Sequence, residues 1–369
     1  MYATLSCLLI FLSTGATADV VFNFFDTLRN DPSISTSISN TSANNLFTVT
    51  DSKGMKYRLG QISGFLPFSD GSVLRDGVEN DGFAMLLAIH HFNNVGISPF
   101  LDSEEISKCN IKFTAEMFDT QFSPINSTRL FTRILQRNNT LKSPFPSAVI
   151  GAYRSAVTSP LAILTGVNNI PQISYASTSS DFDVKEQYPF FGRTIMSSVG
   201  EAQITIDYFS TILKATHIGV LFVTDSFGSA LQKAFQDAAS NVGITTDSFA
   251  FSFSDADGSE IQNAVKSLKK TQFNIFYVIG FELHYKFIME AAYEEGLVSD
   301  DNVWIFNGFD PSAFQRSLEY PSGTCLLNVM FYLLCPLLYF LTNKFSSRLN
   351  SCKCICWCWF HYREWRGSS

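Results

Sequence analysis

Hydroxyl side chains cluster at two places in residues 147–183, and each cluster follows a short apolar run that predicts a buried strand. Ser155 follows the first run, whereas Ser177 and Thr178 follow the second. Because the carboxyl ends of parallel strands meet at one edge of a sheet, we expect both clusters to lie at the same crevice. Hydroxyls there either cap the next helix or hold a ligand carboxylate beside backbone N–H groups. The segment therefore predicts either plain helix caps or one half of a small-ligand site.

The sequence lacks the common motifs of catalytic, phosphate and metal sites. It contains no G-x-x-x-x-G-K-[ST], G-x-G-x-x-G, G-x-S-x-G or H-E-x-x-H pattern. His90 and His91 are adjacent and so point to different sides of a helix, which does not suit a metal pair. The net charge of -7 disfavours a nucleic-acid partner, since phosphate binding requires a basic face. We therefore expect a protein that is not an enzyme, requires no cofactor or metal and binds no nucleic acid.

Strands and helices alternate along most of the chain, and this order predicts how the hydroxyl clusters are positioned. Short, nearly all-apolar runs such as IGVLFV and IFYVI fit strands that are buried on both faces. Strict alternation implies parallel sheets with helices on both faces. Residues 187–198 interrupt the alternation and predict a crossover between two lobes. The sequence thus predicts an α/β fold with lobe 1 at residues 56–193 and an incomplete lobe 2 at residues 194–320.

The amino-terminal residues indicate secretion. Residues 1–18 contain a short apolar core and an Ala-Thr-Ala cleavage site, which together predict a signal peptide; the alternative is a buried strand or short helix. Residues 19–55 are rich in Ser, Thr and Asn and predict a flexible leader. Sequons at Asn40, Asn126 and Asn138 predict glycosylation and support an extracellular route.

The chain changes character after Tyr320. An uncharged run from Cys325 to Leu341 is slightly shorter than the roughly 20 residues that a spanning helix requires. Basic residues follow this run, as on the cytoplasmic side of a membrane helix. The last cysteines alternate with other residues, which is too close for a zinc site and suits lipidation. We predict a membrane segment and a Cys-rich tail for residues 321–369; a mis-spliced tail is the alternative.

The order and spacing of several short motifs resemble the receptor family ligand-binding region, which has the type I periplasmic-binding-protein fold. The resemblance runs from about residue 57 to about residue 314. The motifs are ISGF at 62–65, FDTQ at 118–121, the hydroxyl-bearing turns at 151–155 and 175–180, FGRT at 191–194 and VTDSFG at 223–228. Residues 276–296 and 304–309 are most similar to the GABA-type-B receptor ectodomain. The family also includes metabotropic glutamate receptors and bacterial leucine and branched-chain amino-acid-binding proteins.

The resemblance implies a two-lobed, non-catalytic domain that closes like a clamshell on a small amino-acid-like ligand. Ser155 lies where the family has a serine that touches the ligand carboxylate, and Ser177 and Thr178 lie in the turn that does the same. The resemblance further implies an extracellular domain at the cell membrane. This domain would signal as part of a class C G-protein-coupled-receptor-like protein and form a homo- or heterodimer through lobe 1.

The second lobe carries the other predicted ligand contacts. Phe227 and Phe281 lie where related receptors present an aromatic residue, often Tyr; each also suits an ordinary core position. Glu282 could meet a ligand amine, and it also suits the first turn of a helix. Ser198 stands near the place where glutamate-type sites carry an acidic residue for the α-amino group.

The sequence departs from the family pattern after Asp310. In the family, lobe 2 continues well beyond this point, and the chain then returns to complete lobe 1. We find no such elements here and expect the fold to be truncated. The alternatives to a receptor domain are a soluble solute-binding protein for amino acids and a truncated receptor fragment.

Overall fold

The computed structural model describes residues 35–41, 45–50, 54–69, 79–94, 108–140, 143–255, 257–308 and 326–329. The chain forms two compact units that divide between Ser197 and Ser198. The predicted division, between residues 193 and 194, lies just before this point. Within the described residues, each unit is built on one main sheet with helices packed against it.

The sheet of the first unit combines a parallel core with an antiparallel hairpin. The strands are β1 (Ser35–Thr41), β2 (Leu46–Thr50), β3 (Lys56–Leu66), β4 (Ile111–Asp119), β5 (Ala148–Gly151), β6 (Gln172–Ser174) and β7 (Phe191–Arg193). Strands β4, β3, β5, β6 and β7 are neighbours in this order and run parallel. The hairpin of β1 and β2 pairs antiparallel with residues 56–59 of β3. Because β4 occupies the other side of β3, β2 and β5 share one side of this long strand.

Helices cover both faces of the first sheet. They are α1 (Glu79–Asn93), α2 (Pro124–Leu135) and α3 (Ser155–Val167). On one face, α2 and α3 pack through Phe131 and Leu161 against Phe65 and Val149 of the strands. Helix α1 packs on the opposite face, where a largely apolar cavity of about 440 Å³ lies between the helix and the sheet. The residues that follow β5 and β6 are therefore held at the carboxyl edge by a packed scaffold.

The second unit has a parallel sheet in the order β12-β11-β10-β8-β9. Its strands are β8 (His217–Val223), β9 (Thr245–Phe251), β10 (Ile275–Ile279), β11 (Val303–Asn307) and β12 (Leu326–Val329). Its helices are α4 (Ser198–Thr211), α5 (Ser226–Asn241), α6 (Ser259–Lys269) and α7 (Glu282–Glu294). Successive residues of a strand point to opposite faces, so Phe276 packs with α6 and α7 while Tyr277 packs with α4 and α5. The predicted α/β class with helix-covered parallel strands is confirmed.

The leader contains more structure than the sequence indicated. Residues 19–55 were predicted to be flexible, but β1 and β2 lie within them. Phe47 and Val49 of β2 are buried against Tyr57 and Leu59 of β3. The apolar alternation of β2 is only five residues long and follows a Ser/Thr-rich run, so its pattern is weak in the sequence. The predicted signal peptide, residues 1–18, lies outside the described residues.

Part of the predicted membrane segment lies in the second sheet. Leu326–Val329 form β12, which pairs in parallel with β11. Residues 330–369 lie outside the described part of the chain. Where the structure is described, no helix is both long enough and apolar enough to cross a membrane. The membrane segment therefore stays a prediction.

Candidate functional site

The two hydroxyl clusters of the first unit meet at the carboxyl edge of its sheet. Ser155 is the first residue of α3, and its Oγ accepts a hydrogen bond of 3.2 Å from the backbone N–H of Ser179. Ser177 lies in the turn after β6, and its Oγ is 2.6 Å from Oγ1 of Thr158 on α3. Thr178 follows in the same turn. The side chains that the sequence predicted to share one crevice are thus close neighbours.

Neither serine acts as the side-chain cap that was the alternative prediction for this segment. The N-cap residue of α3 is Arg154, whose side chain makes no capping hydrogen bond. Ser177 is fully buried, and its Oγ lies 3.1 Å from the carbonyl oxygens of both Ala152 and Tyr153. A hydroxyl can donate only one hydrogen bond. The two carbonyls and Thr158 therefore already occupy the single O–H donor of Ser177. Ser155 and Ser177 therefore tie the turn after β6 to the start of α3.

Thr178 differs from Ser155 and Ser177 because its buried side-chain oxygen has no hydrogen-bond partner among the residues that the structure describes. Only 7% of the residue is exposed. Its backbone is fixed, since Nη1 of Arg193 donates to the carbonyl oxygens of Thr178 at 3.1 Å and Ser179 at 2.7 Å. Arg193 is itself held by an ion pair with Asp183. A buried hydroxyl without a partner costs about 1–3 kcal/mol, so this position is energetically unfavourable as it stands.

Aromatic rings and a buried guanidinium border the hydroxyl cluster. The ring of Tyr153 lies 5.9 Å from that of Phe122 and 6.1 Å from that of Tyr175, measured between centroids. Arg154 is 5% exposed, and its Nη1 donates to the carbonyl oxygen of Phe122 at 3.2 Å. This edge of the first sheet therefore combines hydroxyl, aromatic and cationic groups within a few residues of the ends of β5 and β6.

In the second unit, two predicted residues form an aromatic pair at the carboxyl edge. The ring centroids of Phe227 and Phe281 are 5.3 Å apart, and both side chains are half-buried against the core. Phe227 lies in the first turn of α5, where Oδ1 of Asp225 accepts hydrogen bonds from the N–H groups of Phe227 and Gly228. Phe281 directly precedes α7, and Glu282 is exposed in the first turn of that helix. The unit thus presents an aromatic surface with a nearby carboxylate.

The three predicted glycosylation sites differ in their surroundings. Asn138 is exposed in the loop after α2. Asn126 is half-buried in α2, and its Nδ2, the atom that would carry a glycan, donates to the carbonyl oxygen of Asp119 at 3.0 Å. Asn40 lies in β1, and its side chain is outside the described part of the structure. Of the two sites with described side chains, Asn138 is the more accessible.

Comparison with protein families decides what this scaffold is. Residues 83–350, more than half of the 369-residue chain, match the receptor family ligand binding region. The chain belongs to this family. The resemblance recognised in the sequence motifs is therefore confirmed, and the two sheets described above are those of a receptor-family ligand-binding region.

Individual relatives match shorter stretches of the chain. Metabotropic glutamate receptor 4 of Rattus norvegicus is 36% identical over 97 residues, which are 26% of this chain and 10% of that receptor. The extracellular calcium-sensing receptor of Homo sapiens is 29% identical over 137 residues, which are 37% of this chain and 13% of that receptor. Metabotropic glutamate receptor 8 of Homo sapiens is 32% identical over 97 residues, or 26% of this chain and 11% of that receptor. The matches thus span about a tenth of the length of each relative.

The sequence does not indicate that an acidic residue, Glu201, lies at the carboxyl edge of the second sheet. Glu201 lies in the first turn of α4, three residues after Ser198, and accepts a hydrogen bond from Nδ2 of Asn307 at the end of β11. Burial raises the pKa of Glu201 to about 7. A glutamate in a first helical turn is common, because it suits the helix dipole, so the sequence gives no signal for this contact. Only the fold brings together two residues that are far apart in the chain.

Proposed function

We propose that this receptor-family region binds a small amino-acid-like molecule at the carboxyl edges of its two sheets. In this proposal the first unit holds the ligand carboxylate, and the second unit closes over the ligand as a clamshell. The domain is extracellular and non-catalytic, and it belongs to a class C G-protein-coupled-receptor-like signalling protein. Family membership and the similarity to metabotropic glutamate and calcium-sensing receptors support a ligand-binding role; the ligand class, the closure and the setting are parts of the proposal.

The partnerless hydroxyl of Thr178 is the observation that carries the proposal. A buried Oγ1 without a hydrogen bond loses free energy unless something else supplies the missing partner. A ligand carboxylate would supply an acceptor for the Thr178 O–H, and charge-assisted hydrogen bonds of this kind are stronger than neutral ones. The oxygen is enclosed, so we expect the surrounding residues to move when the ligand enters.

The other predicted residues of the first unit take different roles in this proposal. The Ser177 hydroxyl already forms hydrogen bonds with Ala152, Tyr153 and Thr158. Ser177 therefore positions the turn and does not contact the ligand through its side chain. Ser155 begins α3, where unsatisfied N–H groups and the helix dipole favour a negative group. We therefore assign the ligand carboxylate to Thr178 and the amino-terminal turn of α3.

The aromatic pair of the second unit supplies the other half of the proposed site. Phe227 and Phe281 lack the hydroxyl of tyrosine, so they contribute ring surface and no hydrogen bond to a bound molecule. Glu282 is exposed beside Phe281 and would attract a ligand amine. A ligand that carries both a carboxylate and an amine fits this division of charge between the two units.

Thermal stability measured with a panel of amino acids tests the proposal. The panel consists of the standard amino acids and γ-aminobutyrate, added separately to the full chain. A ligand that binds the folded state alone raises the melting temperature, and the shift grows with the logarithm of the ligand concentration once this exceeds the dissociation constant. We expect at least one member to raise the melting temperature of the wild type and to have a much smaller effect on Thr178→Val.

Thr132→Val is the matched control, because Thr132 is exposed on α2 and its hydroxyl bonds only to the backbone of its own helix. This variant should respond to the panel like the wild type. If no member shifts the melting temperature of well-folded wild-type protein, the proposed ligand class is wrong. An undiminished response of Thr178→Val would instead reject the role of Thr178.

A further inference from the structure

A hydrogen-bonded cluster connects four elements of the second unit around Glu201. The Glu201 carboxylate on α4 accepts from Nδ2 of Asn307, the last residue of β11. The backbone carbonyl of Asn307 accepts from the Tyr285 hydroxyl on α7. The same hydroxyl lies 3.3 Å from the carbonyl oxygen of Gly280, which follows β10. Helix α4 is thereby joined to the carboxyl ends of β10 and β11 and to α7.

In the described part of the chain, the surroundings of Glu201 contain two tyrosines and no ion-pair partner. Part of its side chain reaches the surface, yet burial of the carboxyl group raises its pKa to about 7. Among the described residues, no Lys or Arg forms an ion pair with it. Tyr277 on β10 and Tyr285 on α7 are the titratable groups that interact with this cluster. Helix α7 also carries Glu282, His284, Lys286, Glu290, Tyr293 and Glu294. Burial, and secondarily the charge of Glu201, raises the pKa of Tyr277, and tyrosines ordinarily ionise only near pH 10. Glu201 is therefore the group of this cluster that changes charge near neutral pH.

The position of the cluster gives such a change of charge a structural consequence. Helix α4 begins at Ser198, where the chain enters the second unit, and Glu201 lies in its first turn. At the other end of the cluster, Gly280 directly precedes Phe281 of the aromatic pair. The cluster therefore connects the crossover into the second unit with one of the residues assigned to the ligand.

We propose that Glu201, Asn307 and Tyr285 form a proton-sensitive latch that holds the start of α4 against the carboxyl edge of the second sheet. A protonated Glu201 is neutral, can remain in this desolvated place and keeps the latch closed. Because no described Lys or Arg forms an ion pair with Glu201, the ionised carboxylate gains free energy when it reaches water and the latch loosens. This inference requires no ligand and stands independently of the proposed function.

The sign and size of the effect follow from linkage. Between the ordinary pKa of 4.5 and the raised value of about 7, the closed state binds more protons than the open state. Raising the pH through this interval therefore favours opening, and the effect levels off above the raised pKa. From pH 6 to pH 8 the opening equilibrium constant should rise about tenfold.

Hydrogen exchange of the full-length protein between pH 6 and pH 8 measures this opening. After correction for intrinsic exchange rates, amides in the second turns of α4 and α7, which bond to carbonyl groups of the first turns, should open about tenfold more readily at pH 8 in the wild type. Glu201→Gln keeps the size and an acceptor oxygen of the side chain but cannot ionise. Its opening should change less than about twofold over the same range.

Glu290→Gln is the control, because Glu290 is exposed on α7. This variant should show the same pH dependence of hydrogen exchange as the wild type. A second measurement on the wild type does not depend on how any variant folds. Carboxyl carbon shifts of glutamate-labelled protein should contain one titration near pH 7, assigned by its loss in Glu201→Gln. If all glutamates titrate near their ordinary pKa, or if Glu201→Gln keeps the tenfold change, the latch does not exist.

Discussion

Ser177→Ala and Thr178→Val, at two adjacent positions, should have different effects on stability. In Ser177→Ala the lost hydroxyl donates to a backbone carbonyl and shares a short hydrogen bond with Thr158. Two buried hydrogen bonds at about 1 kcal/mol each give an expected loss of about 2 kcal/mol in the free energy of unfolding. For a unit of this size the loss corresponds to a decrease of about 4–8 °C in melting temperature.

Thr178→Val removes a buried hydroxyl that has no partner and replaces it with a methyl group of similar size. No protein hydrogen bond is lost, and a desolvated polar atom is removed, so the free energy of unfolding should stay within about 0.5 kcal/mol of wild type or rise. Both residues lie in the same turn and both are buried, so the two variants differ mainly in whether the lost hydroxyl had hydrogen-bond partners.

Urea unfolding of both variants in the absence of ligand measures the difference. Hydrogen exchange of peptides from residues 145–195 would assign the change to the first unit, which matters because two units need not unfold together. A loss of stability in Thr178→Val as large as that in Ser177→Ala would contradict this expectation. That result would mean that the Thr178 hydroxyl has a stabilising partner, and it would remove the main support for the proposed ligand contact.

Three further substitutions test the scaffold. Gly151→Ala should abolish most soluble protein, because Gly151 has a φ of +112° and an added Cβ would lie 2.2 Å from the carbonyl oxygen of Phe65; soluble yield measures this. Arg137→Met should lower the free energy of unfolding by about 2–4 kcal/mol, since it removes the cation from the buried Glu116 carboxylate, and urea denaturation checks it; Arg137→Lys should lose less. Asp225→Ala removes the cap of α5 and should cost about 1–2 kcal/mol, measured by thermal unfolding; an unchanged melting temperature would contradict the capping role.

The sequence predicts most of the parallel scaffold because its strands are apolar runs that are buried on both faces. His217–Val223 and Ile275–Ile279 are such runs, and helices follow each of them as expected. Strands that carry few apolar residues are harder to recognise. In Ser35–Thr41 and Leu46–Thr50 the alternation is short, and these strands are evident only from the pairing of β1 with β2 and of β2 with β3. The apolar residues of Leu326–Val329 suit a strand as well as a membrane segment, so the sequence leaves that choice open.

The candidate site is only partly predictable for a different reason. The spacing of Ser155 and Ser177 after two strands predicts that they meet, because parallel strands end at one edge. Whether a hydroxyl is already bonded depends on the positions of backbone carbonyls such as that of Ala152, which the sequence does not specify. The same limit applies to Glu201, whose partner Asn307 is distant in sequence. Sequence patterns therefore indicate where polar side chains gather. The three-dimensional contacts distinguish the side chains that already have hydrogen-bond partners from those that do not.

The amino-terminal hairpin has a consequence for solubility. Strand β2 covers the backbone N–H and C=O groups of β3 over residues 56–59, and β1 lies outside β2 as the end strand of this sheet in the described part of the chain. The sequence of β1, STSISNT, offers an incoming strand few apolar side chains, which makes it a poor template for further pairing. A protease cut ahead of Lys56 would uncover the more apolar edge beneath, and two cleaved copies could then pair edge to edge and aggregate.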